Sequence, residues 1–298
     1  MKCALLGWGY WGKIIEKYIK ENDNFFIKSI YDPQFSSETV FQNILNDKDI
    51  ECVFICTPIS THYQLAKELI NHGKHIFCEK PLSKSSKEIE ELYDIALENN
   101  VCLYTDYIYT NSRAIKYMKE NIEEIGDVKY INAAIKQFGN FYRDDNSYEV
   151  IGVHMISAII YILGKYNMES FEIKDNEIIR INSNNNQVLD GVLKFTVEKQ
   201  IMGQIECSLT SICKARELEF VGEKGIMRFD MLSENVIEKM LIKEDGYKYV
   251  VVEKESIHFD ENNNLKYALS DFIKEIKSGI RDNIKLSLMV TKILEKII

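Results

Sequence analysis

Long hydrophobic runs and an excess of positive charge are both missing from this chain of 298 residues. Since no stretch reaches about 18 consecutive apolar residues, the sequence predicts no helix that crosses a membrane. The formal net charge of −9 argues against a nucleic-acid partner, because binding to phosphate backbones favours a basic surface. The first residues lead directly into a strand pattern, so we also expect no signal peptide and a cytoplasmic location.

The chain also lacks the signatures of several catalytic and metal sites. None of its seven cysteines has a partner at the C-x-x-C spacing of zinc sites, and His, Asp and Glu form no convincing ligand set, so we expect no metal. Neither a P-loop nor a nucleophile elbow is present. Most of the cysteines fall in or beside predicted buried strands, which is typical of reduced core residues in a cytoplasmic protein.

The most informative feature that is present lies at the N-terminus. A short apolar run leads into a glycine motif, a helical pattern follows, and a second apolar run ends in an acid. This order of strand, glycine turn, helix, strand and acid is typical of dinucleotide-binding folds. The helix N-terminus would present free N–H groups and a partial positive charge to the phosphates. The candidates for cofactor contact in this turn are Gly7, Gly9, Tyr10, Trp11 and Gly12.

The acid at the end of the second run is Asp32, which lies 20 residues after Gly12. Its carboxylate would accept hydrogen bonds from the ribose hydroxyls of the adenosine and would repel a 2′-phosphate. The next residue is Pro33, so an arginine for that phosphate is missing at this position. We therefore predict NAD as the cofactor rather than NADP.

The pattern of elements predicts an α/β fold in two domains. Strands and amphipathic helices alternate in the first third, which favours a parallel sheet. After a helix around 150–163 the chain becomes mostly strands with short turns, which favours antiparallel pairing, and two helices end it. We predict a Rossmann-type doubly wound parallel sheet in a domain at 1–108 and an α+β domain with a largely antiparallel open sheet at 109–298. The alternative for the C-terminal helix is that it packs back on the first domain.

Two segments at predicted strand ends carry the best candidates for chemistry. Thr57 and Pro58 follow one strand and Glu79-Lys80-Pro81 follows another, so we expect both on the same rim as the glycine turn. Lys80 is the strongest catalytic candidate, because a partly buried lysine beside a nicotinamide exchanges a proton with a substrate hydroxyl. The alternative for Lys80 is a solvated surface lysine.

Two histidines are weaker candidates. His62 lies near a helix start with Ser60 or Thr61 as its N-cap, where it would line the nicotinamide side or serve as a capping or surface residue. His154 lies at the start of an apolar helix. A functional histidine and a hydrogen-bonded core histidine both fit that position.

Together these motifs resemble the glucose–fructose oxidoreductase / inositol dehydrogenase (Gfo/Idh/MocA) family over nearly the full length of the chain. The matching features, beside the glycine turn and Asp32, are Cys56-Thr57-Pro58 with His62, Glu79-Lys80-Pro81 and Gly152-x-His154. A further run is most similar to sugar-nucleotide 3-dehydrogenases, and it extends from Tyr107 through Gly126-Asp127-Val128 to Asn146 and His154.

The resemblance implies NAD(P)-dependent hydride transfer at a carbon of a sugar or polyol, with a nucleotide-linked sugar favoured. It implies that Lys80 is the catalytic lysine of the family's Glu-Lys-Pro motif, which often contains a cis Lys–Pro bond. It also implies that His154 is the substrate-domain histidine. Oligomers are common in the family, so a homodimer or homotetramer built on the open sheet face is expected.

One position departs from the family pattern. An aspartate usually stands four residues before the substrate-domain histidine, and this chain has Val150 there. Glu149 would compensate only if the helix register shifts by one residue, and Tyr148 or Asp145 would otherwise assist Lys80. The departure leaves three functions open: a sugar oxidoreductase, a reductase of the same fold with a non-sugar substrate, and an NAD(H)-binding sensor without catalysis.

Overall fold

A computed structural model describes residues 1–139, 145–164, 170–179, 188–233, 236–259, 263–279 and 281–297. The elements of the first part are β1 (Lys2–Leu6), α1 (Tyr10–Lys20), β2 (Phe26–Tyr31), α2 (Glu38–Asn46), β3 (Ile50–Ile55), α3 (Ile59–Asn71), β4 (His75–Glu79), α4 (Ser86–Glu98) and β5 (Leu103–Asp106). The later elements are α5 (Arg113–Asn121), β6 (Val128–Phe138), α6 (Val153–Leu163), β7 (Phe171–Ile179), β8 (Asp190–Val197), β9 (Ile201–Ser208), β10 (Thr210–Gly222), β11 (Gly225–Asp230), β12 (Val236–Asp245), β13 (Lys248–His258), α7 (Asn264–Ser278) and α8 (Asp282–Ile297). None of the helices in the described ranges is both long and apolar enough to cross a membrane.

Tertiary contacts divide the chain into two units. The first unit joins Met1–Asn111 to Asn263–Glu295, and the second comprises Ser112–Asn262 with residues 296–298. Helix α7 and most of α8 therefore belong to the first unit, because their apolar faces are buried in its core. The domain limits drawn from the sequence, 1–108 and 109–298, stay a prediction.

The first unit contains a five-stranded sheet in the order β2-β1-β3-β4-β5, and each neighbouring pair is parallel. The predicted doubly wound sheet is thereby confirmed. Its strands are apolar almost throughout, because helices cover both faces of a parallel sheet. Ile15 of α1 and Phe272 of α7 pack in the cluster on one face, and Ile44 of α2 and Leu92 of α4 pack in the cluster on the other.

One helix of the first unit was not predicted from the sequence. Helix α2 is only nine residues long, and it lies in a segment with many polar residues. Its buried residues are Phe41, Ile44 and Leu45, whose spacing of three and four residues is the helical signal that would have revealed it.

The second unit contains an eight-stranded sheet in the order β13-β12-β11-β10-β6-β9-β8-β7. Strands β6 and β9 are parallel and the other described pairs are antiparallel, so the largely antiparallel sheet is confirmed. Burial alternates along β8, β9 and β11, as expected when one face packs on a core.

Candidate active site

The carboxyl edge of the first sheet has a switch point between β1 and β3. The chain leaves β1 for β2 on one side and returns to β3 on the other, so the connections after these two strands diverge. Ligands of open α/β sheets bind in the crevice at such a point. Gly7 follows β1 and Thr57 follows β3, which brings two of the predicted cofactor segments together at this crevice.

Steric limits explain the three glycines of the turn. Gly7 has a φ of +86°, and a Cβ there would lie 2.7 Å from the carbonyl carbon of Cys56. A Cβ on Gly12 would lie 2.0 Å from the carbonyl oxygen of Gly7. A Cβ on Gly9, in contrast, would meet no protein atom within 4 Å. Gly7 and Gly12 are therefore required by packing, whereas Gly9 leaves open space beside the turn.

The N-terminus of α1 is suited to an anion. Gly9 is its N-cap, no side chain caps it, and its first turn contains no acidic residue. The first N–H groups and the positive end of the helix dipole are thus available to a ligand. Tyr10 is 83% exposed, and Trp11 is half-buried with its indole Nε1 donating a hydrogen bond to Glu79 Oε1. These residues fit the pyrophosphate of a dinucleotide.

Asp32 is buried at the end of β2 and is tied to the glycine turn. Its Oδ2 accepts a hydrogen bond from the N–H of Trp8 at 2.7 Å, and its Oδ1 accepts one from the N–H of Gln34 at 3.0 Å. The ring of Trp8 packs edge-on against exposed Phe35, with 5.7 Å between centroids. This aromatic pair was missed from the sequence, since Phe35 joins it only once β2 lies beside β1.

His62 connects the segment after β3 to the segment after β4. Its Nδ1 lies 2.9 Å from the carbonyl oxygen of Pro81, and its Nε2 lies 2.8 Å from the carbonyl oxygen of Thr57. Carbonyl oxygens only accept hydrogen bonds, so the imidazolium form satisfies both contacts and the neutral ring satisfies one. The side chain is 1% exposed, so the predicted surface role is wrong. The predicted N-cap is also wrong, because α3 begins at Ile59 with Pro58 as its cap.

Lys80 follows β4 and is half-buried. The Lys80–Pro81 peptide bond is cis, as the resemblance implies. Its neighbour Glu79 lies opposite Asp106 of β5 in the strand register. Burial, followed by the charge of Asp106, raises the pKa of Glu79 well above its usual range. Burial also raises the pKa of Asp106 to about 7, although the charge of Lys80 opposes this shift.

Asp106 was missed from the sequence. An acid at the end of a buried four-residue strand is a recognisable signal, but its significance depends on the register that places it opposite Glu79. Nearby thiols offer no alternative nucleophile, because burial raises the pKa of both Cys56 and Cys78 well above 9.0. Among the residues that the structure describes, no group of three or more His, Cys, Asp or Glu side chains is placed to hold a metal ion.

The second unit carries His154 in the first turn of α6. A π-helical turn at Tyr148–Gly152 precedes it and includes a bond from the N–H of Val153 to the carbonyl oxygen of Tyr148. This turn contains one more residue than an α-helical turn, so the local register shift that a role for Glu149 would require is present. The predicted helix around 150–163 is otherwise α6.

Glu149 is buried and forms a reciprocal cap with Asn146. Its Oε2 accepts hydrogen bonds from the N–H of Asn146 at 2.9 Å and from Nδ2 of Asn146 at 2.8 Å. The Oδ1 of Asn146 in turn accepts from the N–H of Glu149 at 3.1 Å. This pair is a capping box that fixes the start of the helix carrying His154.

A family model matches the N-terminal part of the chain. Residues 1–107 match the model of GFO_IDH_MocA, the oxidoreductase family with an NAD-binding Rossmann fold. The myo-inositol 2-dehydrogenase of Thermotoga maritima is 24% identical over an alignment of 315 positions, gaps included, which covers 94% of this chain and 89% of that protein. Three other curated relatives match through 143 to 147 residues, which span only 38 to 40% of their lengths.

Solved structures share the complete fold. KijD10, a 3-ketoreductase from Actinomadura kijaniata solved with NADP and TDP-benzene, has a TM-score of 0.83 and 15% identity, covering 100% of this chain and 96% of that one. The UDP-N-acetylglucosamine 3-dehydrogenase GnnA from Acidithiobacillus ferrooxidans has a TM-score of 0.79 and 16% identity, covering 100% and 97%. Identities this low show a common fold alone.

Proposed function

We infer, on the premise that this chain belongs through residues 1–107 to the Gfo/Idh/MocA oxidoreductase family, that it transfers a hydride between NAD and a secondary alcohol or ketone carbon of a sugar. The observation that carries the proposal is one sheet edge that holds the glycine turn, Asp32 and the segment of Lys80. The nicotinamide, when bound, supplies the hydride chemistry.

The residues at the switch point fit a dinucleotide. The uncapped N-terminus of α1 would hold the pyrophosphate, and the open space at Gly9 would let it approach the backbone. Asp32 would accept hydrogen bonds from the adenosine ribose, and its charge favours NAD over NADP. Thr57 and Pro58 would border the nicotinamide side of the crevice. His62 would hold this side in place without contacting the cofactor, since its buried ring contacts the carbonyl oxygens of Thr57 and Pro81.

Lys80 would serve as the acid–base group. Oxidation of an alcohol releases a proton from the hydroxyl, and reduction of a ketone requires one, so a group that carries a proton must face that oxygen. Lys80 has a positive charge, partial burial and two carboxyl neighbours, which are features that tune an amine for proton transfer. For His154 we propose the role of the substrate-domain histidine.

A nucleotide-linked sugar is the substrate class that we favour. The support is the fold shared with KijD10, solved with TDP-benzene, and with the UDP-N-acetylglucosamine 3-dehydrogenase GnnA. The net charge of −9 does not oppose this choice, since a bound diphosphate is held by local groups. We also propose a homodimer or homotetramer through the second sheet, where Met202 and Val251 are exposed.

The test is NADH absorbance with NAD and a panel of nucleotide sugars, free sugars and polyols. We expect NADH formation with at least one nucleotide sugar, and a loss of about 100-fold or more in kcat for Lys80→Ala with an unchanged Kd for NAD. Lys87→Ala, an exposed lysine of α4, is the matched control. Near-normal turnover by Lys80→Ala would refute the role of Lys80.

Val150 favours a second candidate, an NAD(H)-binding sensor without catalysis. A valine cannot exchange a proton, and the nearest carboxylate, Glu149, is engaged in its cap with Asn146. Tight NAD binding without turnover on the whole panel would support the sensor. Turnover of imines or unsaturated carbonyls, but of no sugar, would instead support a reductase of the same fold.

A further inference from the structure

Asp106 is a buried carboxyl group that forms no hydrogen bond with the described residues. It ends β5, its side chain is 1% exposed, and neither Oδ1 nor Oδ2 has a hydrogen-bond partner within the described part of the chain. Burying such a group costs free energy, and a folded protein satisfies nearly all of its buried polar atoms. An orphaned carboxyl at the carboxyl edge of a sheet therefore calls for a functional explanation.

The titratable groups that face Asp106 come from three strands. Glu79 and Lys80 lie at the end of β4, Cys56 follows β3, and Tyr104 belongs to β5 itself. Burial raises the pKa of Cys56 and of Tyr104, so both are neutral near pH 7. Lys80 supplies the positive charge among these groups, and the exchangeable protons near neutral pH belong to Lys80 and the two carboxyl groups.

Of the two carboxyl groups, Asp106 is the better partner for Lys80. Glu79 already accepts a hydrogen bond from the indole of Trp11, whereas neither oxygen of Asp106 accepts one from the described residues. The pKa of Asp106, raised to about 7, also matches proton exchange at neutral pH. Burial and then the negative charge of Asp106 raise the pKa of Glu79, so ionisation of Asp106 favours the protonated form of Glu79.

Building on the proposed function, in which Lys80 exchanges a proton with the substrate, we propose that Asp106 is a positioning residue that exchanges that proton with Lys80. During oxidation the Lys80 ammonium first gives a proton to ionised Asp106, so an N–H bond breaks and an O–H bond forms. The resulting amine then takes the proton of the substrate hydroxyl, so the substrate O–H bond breaks and an N–H bond forms on Lys80, while the nicotinamide, when bound, would take up the hydride with its two electrons. Asp106 later releases its proton to water. Reduction follows the same steps in reverse.

The experiment is an NMR titration of Lys80 in the cofactor-free protein, with ¹³C at the lysine Cε and with Lys80→Arg to assign the signal. In the wild-type protein we expect two steps in the Lys80 shift, one near pH 7 as Asp106 ionises and one as Lys80 loses its proton. In Asp106→Asn the first step should disappear, and the second should move down by about one pH unit or more. Asp94→Asn, an exposed acid of α4, is the matched control and should leave both steps in place.

A single step in the wild-type protein would overturn the proposal, and this reading does not depend on the folding of any variant. An identical two-step curve in Asp106→Asn would also overturn it. In activity assays, Asp106→Asn should remove the limb near pH 7 from the profile of kcat/KM and leave the Kd for NAD unchanged. If Lys80→Ala is inactive and Asp106→Asn keeps the wild-type profile, this inference fails alone. An active Lys80→Ala would refute the role proposed for Lys80, and this inference with it.

Discussion

The carboxyl edge of the first sheet consists of two halves that are built differently. In the half that we propose as the dinucleotide site, here called the binding half and formed by Gly7, Gly9, Gly12 and Asp32, the polar groups are backbone N–H groups and one carboxylate with bonded oxygens. In the ionisable half, formed by Glu79, Lys80 and Asp106, carboxyl groups are desolvated and their pKa values are raised. Two side chains link the segments of this edge: Trp11 of α1 donates a hydrogen bond to Glu79, and His62 contacts the carbonyl oxygens of Thr57 and Pro81.

This difference separates binding from chemistry. A site built from backbone is shaped by the sterics of glycines, and its N–H groups carry no net charge, so presenting them to a ligand costs little free energy. A site of buried ionisable side chains lowers stability, since each charge loses its hydration. Changes in the binding half should therefore alter affinity and packing, whereas changes in the ionisable half should alter the dependence on pH.

The largest effect is expected from a methyl group on Gly12. In Gly12→Ala the new Cβ meets the carbonyl oxygen of Gly7 at 2.0 Å, so the backbone must move, at a cost of about 3 kcal/mol of unfolding free energy. In Gly9→Ala the Cβ meets no protein atom within 4 Å, so stability should change by less than about 0.5 kcal/mol. NADH titration should nevertheless show weaker binding in both variants. Wild-type affinity in Gly9→Ala would contradict the pyrophosphate site.

The next effect concerns stability as a function of pH. The pKa of Asp106 is raised from 3.8 to about 7 by folding, so the folded protein binds more protons than the unfolded chain between these values. Its contribution to stability is present below pH 4 and is lost as the pH rises through 7, which between pH 5 and pH 8 amounts to about 2.7 kcal/mol. Urea unfolding at pH 5 and pH 8 should show a smaller difference for Asp106→Asn than for wild type. An equal difference in the two proteins would contradict the buried neutral state.

A smaller loss of stability is expected when the contacts between the segments after β3 and β4 are removed. His62→Phe removes both contacts to the carbonyl oxygens of Thr57 and Pro81, at a cost of about 2 kcal/mol, while keeping an aromatic ring in the buried position. The Kd for NADH should rise and kcat should fall together, because both segments lose their support. His62→Gln retains one donor and should be intermediate. A change confined to stability would show that His62 serves the fold alone.

Some of this edge was predictable from the sequence because its signals are local. The glycine spacing, the strand before it and the acid after it follow one another within 32 residues, and the positions of Lys80 and Pro81 follow from one strand end. Asp106 and the role of His62 were not predictable, since they depend on the register of β4 with β5 and on a contact across 19 residues. The π-turn before His154 was missed because no residue pattern distinguishes its extra residue from an α-helical one.

The smallest expected effect concerns cofactor preference in the binding half. Asp32→Asn keeps an oxygen that can accept from the N–H of Trp8 or Gln34, so the turn should stay intact while the negative charge is lost. Affinity for NADPH should rise and affinity for NADH should fall, changing their ratio by about tenfold, as expected for one charge-assisted hydrogen bond and one removed repulsion. Fluorescence titration with both cofactors measures this ratio directly.

The same titration on the wild-type protein tests the choice of NAD itself. KijD10 was solved with NADP, so the shared fold does not decide between the two cofactors, and the decision depends on the charge at Asp32. If wild-type protein binds NADPH more tightly than NADH, the carboxylate of Asp32 serves only to fix the N–H groups of Trp8 and Gln34. Asp32→Asn would then leave the ratio unchanged, and the binding half would distinguish the cofactors by other residues.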